Sequence, residues 1–559
     1  MDSHVVGANE PPLVEQTIGQ ALTEAAGKYG DREAIVSVHQ AARVTYRELN
    51  AEAEAIGAGL LSLGLEPGDR VGIWAPNCVE WTLVQFATAK AGLILVNINP
   101  AYRLFELEYA LKKVACRALV LAESFKSSRY FDMIRKLAPE LDSSEPGELE
   151  SAKLPDLEMV IGFADEIPAG FINYASLPAR ATQADTDRVA ELETSLNPYD
   201  PINIQFTSGT TGLPKGATLT HYNILNNAFF VGEQIRLTPD DRMAIPVPLY
   251  HCFGMVMGNL GCLTHGSTMV YPSPVFDPAE TMQAVQDERC TALYGVPTMF
   301  VAELSLENFD DYDVSTLRTG ILAGAPCPIE IMKRVIDDMN MREVTIAYGM
   351  TETSPVSFQS SVDDPIERRV TTIGRVLPHI EVKVVDEEGN TVPCGETGEL
   401  WTRGYCVMPG YWNDEEKTKD TLEGDWIKTG DLGTIDEQGY GNIVGRLKDM
   451  VIRGGENLYP REIEEFLYTH EGIEEVEVFG VPDPKYGEEL CAWIKLHEGR
   501  TLTEQDVRDF CDGQISHFKV PRYIRFVEDF PMTVTGKVQK FQMRDTMIEE
   551  LGLTQAKTA

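Results

Sequence analysis

Short apolar runs that alternate with helix-opening signals restrict this chain more than any other feature. Arg70 to Trp74 reads as a buried strand, Asn77-Cys78-Val79-Glu80 caps the next helix, and Leu93 to Asn97 reads as the next strand. A helix over Phe105 to Lys113 and a strand over Ala118 to Leu121 repeat the unit. Strand, helix and strand in this order wind a right-handed, mostly parallel sheet, so the fold class is α/β and the first large unit is doubly wound. Upstream, Leu13 to Lys28 is expected to form an amphipathic helix ending at Gly30, followed by a strand at Ala34 to Val38. Thr45-Tyr46-Arg47-Glu48 has the capping-box pattern and opens a helix that Gly64 closes.

The alternation resumes between Thr220 and Leu322, with strands expected at Met243 to Val247, Thr268 to Tyr271 and Ala292 to Val296, which makes a second α/β sheet. From Ile373 the pattern turns to short antiparallel strands at Glu381 to Val385, Gly398 to Arg403 and Gly433 to Val444. After Gly445-Arg446-Leu447-Lys448-Asp449 the chain restarts with a helix near Pro460, strands at Val476 to Gly480 and Ala492 to Leu496, and a helix at Glu504 to Cys511. The expected organisation is a large N-terminal domain over 1–446, with a β-rich subdomain at about 373–445, and a small α+β domain over 447–559. The acidic, turn-rich segment from Leu141 to Pro155 reads as a surface excursion without a function.

A chain of 559 residues exceeds one hydrophobic core. Its 48 basic and 87 acidic residues give a net charge of −39, which argues against nucleic acid and anionic membrane as partners. Any anion must then be held by local donors and a metal ion. Ten cysteines without a C-x-x-C pair indicate neither a zinc site nor a disulfide framework. The first residues lack a basic and apolar leader, and no apolar run reaches about 18 residues. The expectation is a cytosolic (cytoplasmic) protein without a transmembrane segment.

Thr207-Ser208-Gly209-Thr210-Thr211-Gly212-Leu213-Pro214-Lys215-Gly216 lies between two runs of strand character, Ile202 to Phe206 and Ala217 to Thr220. Glycines let backbone N–H groups converge on phosphate oxygens, hydroxyls add donors and the lysine adds charge. Pro214 stands where the Walker pattern needs glycine, and Gly216 follows the lysine, so this is not a P-loop.

Other stretches are weaker taken singly. Tyr348-Gly349-Met350-Thr351-Glu352 follows a strand-like run, and Glu352 can hold Mg²⁺ against phosphates, although a lone glutamate there also reads as a cap or surface residue. Asp431, after Thr429-Gly430, can accept from two ribose hydroxyls or be a turn aspartate. Arg446 reads as a ribose or phosphate contact or as a solvated ion-pair partner. Gly324-Ala325-Pro326 can lie along a flat base or form a simple turn. His251 sits among apolar residues without an acidic partner nearby in sequence, which fits pocket lining or a satisfied core histidine. Lys537, after a turn, is ordinary by itself.

Taken together and in order, TSGTTGLPKG, YGMTE, TGD, GRLKDMVIRGGENLYP and TGK resemble the adenylate-forming superfamily of acyl-CoA synthetases, luciferases and peptide-synthetase adenylation domains. The resemblance spans about residues 10 to 545, and MVIRGGENLYPREIEEFL and IAYGMTETSPVSF are most similar to medium-chain fatty acyl-CoA synthetases. It implies that a carboxylate attacks the α-phosphate of ATP to give acyl-AMP and pyrophosphate, and that the CoA thiol then displaces AMP. ATP, Mg²⁺ and CoA are the implied cofactors, and a fatty acid the implied substrate.

By the same resemblance, Thr207, Ser208, Gly209, Thr210, Thr211 and Lys215 hold the phosphates. Thr351 stands near the acyl-adenylate, Glu352 at Mg²⁺, and Gly324, Ala325, Pro326 and Tyr348 along the adenine, with Gly349 among the cofactor contacts. Asp431 and Arg446 bind ribose. Lys537 bridges the acyl carboxylate and the α-phosphate. Lys448 is the hinge of a mobile C-terminal domain that brings Gly454, Gly455, Glu456 and Asn457 to the site for thioester formation. His251, Phe253, Gly254 and Gly349 are candidates for the acyl pocket. A homodimer is compatible with this reading.

Three rivals stand beside it. Amino-acid activation needs a carboxylate for the substrate ammonium, and none lies in His251-Cys252-Phe253-Gly254. An acyl-AMP ligase would pass its product to a carrier rather than to CoA. A nucleotide sensor without turnover would not need both Glu352 and Lys537. The sequence leaves aryl and sulfur-containing short acids open as substrates.

Overall fold

The computed structural model describes residues 1–207, 214–325, 327, 329–453, 456–483, 485–512, 514–533 and 537–553, with the backbone alone at 456–457. Two compact units form, one from Val6–Glu381 with Thr402–Ile427, the other from Met1–Val5, Val382–Trp401 and Lys428–Ala559.

The larger unit is built on two sheets. The first has eight strands in the order Ile172–Asn173, Met159–Phe163, Ala118–Ala122, Arg70–Trp74, Ile94–Asn97, Pro201–Thr207, Lys215–Thr220 and Gly410–Tyr411. Pairing is parallel as far as Pro201–Thr207 and antiparallel beyond it. The second has nine strands, among which Arg242–Ala244, Thr268–Tyr271, Ala292–Gly295, Thr319–Ala323 and Glu343–Gly349 run parallel.

Both α/β sheets expected from the sequence are present. Glu33–Ser37 does not join the first sheet but lies in the second, parallel to Thr268–Tyr271 and antiparallel to Ala42–Thr45. Four of its five residues are buried, so it needs a neighbour on either side, and that edge of the second sheet supplies one. The first helix begins at Ile18 rather than Leu13, because Thr17 caps it reciprocally with Gln20. The Thr45 and Glu48 capping box forms as expected. Asn77 does not cap. Cys78 takes that position without a side-chain hydrogen bond, while Asn77 donates to the Val247 carbonyl (3.0 Å) and accepts from the Leu249 amide (2.8 Å).

In helix Val79–Ala91 every residue except Glu80 is buried. Burying Trp81 and Phe86 contributes roughly 3–6 kcal/mol together. Polar groups on this helix must then find partners inside the protein. Thr82 meets the Tyr271 hydroxyl at 2.7 Å, and Lys90 reaches Thr23 at 2.7 Å and Glu193 at 3.0 Å.

Trp426–Ile435, which belongs to the smaller unit from Lys428 onward, and Gly441–Arg446 form an antiparallel hairpin. Further along, Glu456–Leu458, Val451–Arg453, Gly487–Leu496 and Ile473–Asp483 lie side by side, and Tyr523–Phe526 pairs with Gly487–Leu496. Alternate residues of Ile473–Asp483 face different cores. Val476 and Val478 join Ile463, Leu467 and Val507, whereas Phe479 and Val481 join Phe530, Met543 and Met547. Helix Lys540–Leu551, which the sequence reading did not assign, supplies those two methionines. Among the described residues, no helix is long and apolar enough to cross a membrane.

His221, buried at the start of helix His221–Gln234, accepts the Ile18 amide at Nδ1 (3.1 Å). Burial holds its pKa down to about 3, so the folded protein keeps it neutral while the unfolded chain protonates it below the ordinary histidine value. Stability from this group is present above pH ~6.5 and is lost as pH falls toward ~3. Between pH ~6.5 and ~5 the wild type should lose about 2 kcal/mol more than His221→Gln in denaturant unfolding. Parallel pH curves would contradict a buried neutral imidazole.

Candidate active site

Strands Pro201–Thr207 and Lys215–Thr220 pair so that Thr207 faces Lys215, which closes the neck of the glycine and hydroxyl loop. Ser208, Gly209, Thr210 and Thr211 lie outside the described residues, as do Pro326, Gly454 and Gly455. The Lys215 ammonium donates to the Tyr411 hydroxyl at 2.9 Å and stands 4.3 Å from the ring centroid. Tyr411 in turn donates to Glu352 Oε1 at 2.8 Å. Strand Gly410–Tyr411 is placed by pairing with Lys215–Thr220, Ala217 facing Tyr411. Glu352 sits in a short helical turn, Thr351–Thr353, just beyond strand Glu343–Gly349. Lys215, Tyr411 and Glu352 therefore join the edge of the first sheet to a strand end of the second.

Glu352 is 5% exposed, so its carboxylate needs a donor inside the protein, and Tyr411 supplies one. Burial and the neighbouring Glu352 carboxylate raise the Tyr411 phenol, which keeps it a donor. Cys252 is pushed up to about 12, first by burial and then by Glu352. Its thiol donates to Gln205 Oε1 at 3.1 Å. Such a thiol is no nucleophile at neutral pH.

Strands Thr319–Ala323 and Glu343–Gly349 are parallel neighbours, with Ala323 facing Ala347. Gly324 and Ala325 therefore leave the sheet beside Tyr348 and Gly349. Gly324 has φ +88°. At Gly349 a Cβ would stand 1.8 Å from the Pro355 carbonyl oxygen, so only glycine fits. Tyr348 is half-buried, with its ring edge-on to Phe358 at 6.2 Å. His251 accepts the Phe253 amide at Nδ1 (3.1 Å), and Phe253–Leu260 is a buried π-helix that starts there and includes Gly254.

Carboxamides hold that helix. Gln85 donates to the Met255 carbonyl at 3.3 Å, while Asn97 and Gln205 donate to the Met255 sulfur at 3.1 and 3.2 Å. Asn259 donates to Gln85 (2.9 Å) and accepts from Tyr271 (2.8 Å). The sequence reading missed this network, and Tyr411 with it. Its signal was polar residues inside otherwise apolar strands, Asn97 after Ile94-Leu95-Val96 and Gln205 after Ile204.

In the smaller unit, Asp431 and Arg446 face each other across the hairpin, with Arg446 Nε 3.1 Å from Asp431 Oδ1. Lys448 is exposed in the turn that follows. Lys537 is also exposed, and its amide donates to the Thr533 hydroxyl at 3.0 Å.

Mg²⁺ takes one or two carboxylates and fills its remaining positions with water and phosphate oxygens. The residues present fit that demand. The Glu352 side chain accepts from Tyr411 through Oε1, and no cluster of three or more His, Cys, Asp or Glu occurs among the described residues.

Lys215 is thus linked through one phenol to a buried carboxylate. The chain belongs to the AMP-binding enzyme family, whose model matches residues 22–412, with the model of the family's C-terminal domain matching 462–537. It is 46% identical over 557 residues to the human medium-chain acyl-CoA ligase ACSF2, mitochondrial, covering 99% of this chain and 91% of that one. The zebrafish (Danio rerio) protein of the same name is 47% identical over 555 residues, with 99% and 91% covered. Among solved structures, the anthranilate CoA ligase AuaEII in complex with anthranoyl-AMP has a TM-score of 0.85 at 26% identity, covering 98% of this chain and 100% of that one. ATP-bound MatB from Rhodopseudomonas palustris has a TM-score of 0.81 at 31% identity, covering 95% and 99%. The resemblance read from the five motifs and the α/β expectation both hold.

Tyr411→Phe should destabilise the protein by about 2 kcal/mol, because the buried Glu352 oxygen loses its donor. Glu352→Gln in the same chain should recover part of that loss, so the two substitutions will not add. Strictly additive unfolding free energies would contradict the Lys215, Tyr411 and Glu352 chain.

Proposed function

We propose that this protein is an AMP-forming acyl-CoA synthetase for medium-chain fatty acids. The observation that carries the reading is the Lys215, Tyr411 and Glu352 chain at the neck of the phosphate loop, in a chain that resembles medium-chain acyl-CoA ligases along nearly its whole length.

In the first step a carboxylate oxygen attacks the α-phosphorus of ATP and pyrophosphate leaves. The loop hydroxyls and amides with Lys215 hold the β- and γ-phosphates against a field set by a net charge of −39. Glu352 would hold Mg²⁺, which offsets phosphate charge when bound. Gly324, Ala325 and Tyr348 flank the adenine, and Asp431 accepts from the ribose hydroxyls with Arg446 beside it. Lys537 stands between the acyl carboxylate and the α-phosphate and offsets the repulsion between two anions as they approach. In the second step the CoA sulfur attacks the acyl carbonyl and AMP leaves, after the segment that follows Lys448 has turned and brought Gly454 and Gly455 to the acyl-adenylate.

The acyl chain lies along the π-helix Phe253–Leu260, whose residues are buried and apolar except Asn259. A substrate ammonium would find no carboxylate on that helix, which disfavours amino acids. An aryl acid is the second reading, favoured by the structural likeness to an anthranilate ligase.

Rates of acyl-CoA formation with ATP and CoA should rise about fourfold per methylene from butyrate upward until the pocket is filled, at about 0.8 kcal/mol each. Medium-chain acids should exceed benzoate and anthranilate. A flat profile, or preference for the aryl acids, would contradict the assignment. Lys537→Ala should lose about a hundredfold or more in adenylation yet still convert synthetic acyl-AMP and CoA to acyl-CoA. Equal loss in both steps would remove Lys537 from the role given to it.

A further inference from the structure

Lys537 sits on one leg of a narrow hairpin. The Gln539 amide donates to the Pro531 carbonyl and the Thr533 amide to the Lys537 carbonyl, each at 2.7 Å, and Met532 bridges Val538. That leg runs directly into helix Lys540–Leu551, whose first residue is a lysine. A cation at a helix N-terminus opposes the helix dipole, so something outside the helix must favour it. The Lys540 ammonium meets Glu464 Oε1 at 2.5 Å, Glu477 Oε2 at 3.0 Å and the Val478 carbonyl at 3.0 Å. Glu464 belongs to helix Pro460–Leu467 and also accepts the Val478 amide at 2.7 Å, while Glu477 belongs to strand Ile473–Asp483.

Three elements thus converge on one ammonium three residues from Lys537. Both carboxylates are largely out of water, with side chains 12% and 21% exposed, so they need that ammonium more than a surface pair would. Sequence spacing hides the link, because Glu464 and Glu477 lie 76 and 63 positions before Lys540.

We propose that Lys540 is a positioning residue for adenylation, its clamp between Glu464 and Glu477 fixing where the Lys537 hairpin stands. The proposal rests on the reading of Lys537 as the group between the two reacting anions. Lys540 itself touches neither substrate nor nucleotide in this account. A small displacement of a group that acts in the transition state costs rate rather than substrate affinity.

The test uses the full-length protein and two assays, acid-dependent pyrophosphate release without CoA and acyl-CoA formation from synthetic acyl-AMP and CoA. Lys540→Met should lower kcat of adenylation by about tenfold or more with KM for ATP nearly unchanged, and leave the thioester step close to wild type. Lys540→Arg, which keeps the charge, should restore adenylation. Glu477→Gln, which removes one of the two anchors and disturbs folding less, should give a smaller loss confined to adenylation. Should Lys540→Met fail to fold, Glu477→Gln decides. Wild-type adenylation in Lys540→Met or in Glu477→Gln overturns the proposal, as does equal loss in both steps, which would mark a merely structural role. Lys537→Ala is the reference. If it adenylates normally, the Lys537 reading fails and the proposal with it. If it fails in adenylation while Lys540→Met does not, only the positioning role is lost.

Discussion

A carboxylate that is almost wholly out of water must be held by donors, and the larger unit is arranged around satisfying one. Glu352 stands just beyond the end of strand Glu343–Gly349, and its donor Tyr411 comes from a strand that the edge of the other sheet positions. Lys215 approaches the same phenol from the start of strand Lys215–Thr220. One hydroxyl therefore ties Lys215, the carboxylate and two sheets together.

A second constraint is the large negative charge of the chain. An anion is held against such a field only where cations and oriented amides are concentrated locally. Lys215 is packed against Tyr411 and Arg446 is paired with Asp431. Lys90 and Lys540 instead hold carboxylates that would otherwise be stranded away from water, Glu193 in the first case and Glu464 with Glu477 in the second.

The motifs were legible because each is contiguous and because loop chemistry survives without knowledge of packing. Strands were legible where burial on both faces gives a continuous apolar run, as in Arg70–Trp74 and Thr268–Tyr271, whose bounds match the expectation. Which sheet a strand joins is set by partners distant in sequence, so the strand at Glu33–Ser37 was legible but its place beside Thr268–Tyr271 was not. Asn77 has the composition of a cap but is drawn to the backbone of Val247 and Leu249, a competition that no local pattern encodes. The π-helix and its carboxamide braces were hidden for a related reason. Gln85, Asn97, Gln205 and Asn259 come from four separate elements and become a network only when the sheets pack. Asp431 and Arg446 were named separately from their motifs, and the hairpin makes them a cross-strand pair.

Isotope exchange tests, without any substitution, whether the protein activates a carboxylate at the α-phosphate of ATP. Labelled pyrophosphate incubated with the protein, ATP, Mg²⁺ and a medium-chain fatty acid, in the absence of CoA, should enter ATP because acyl-AMP forms reversibly. Exchange should vanish when the acid is omitted. Release of ADP and phosphate in place of exchange would put the attack at the γ-phosphate and contradict the account.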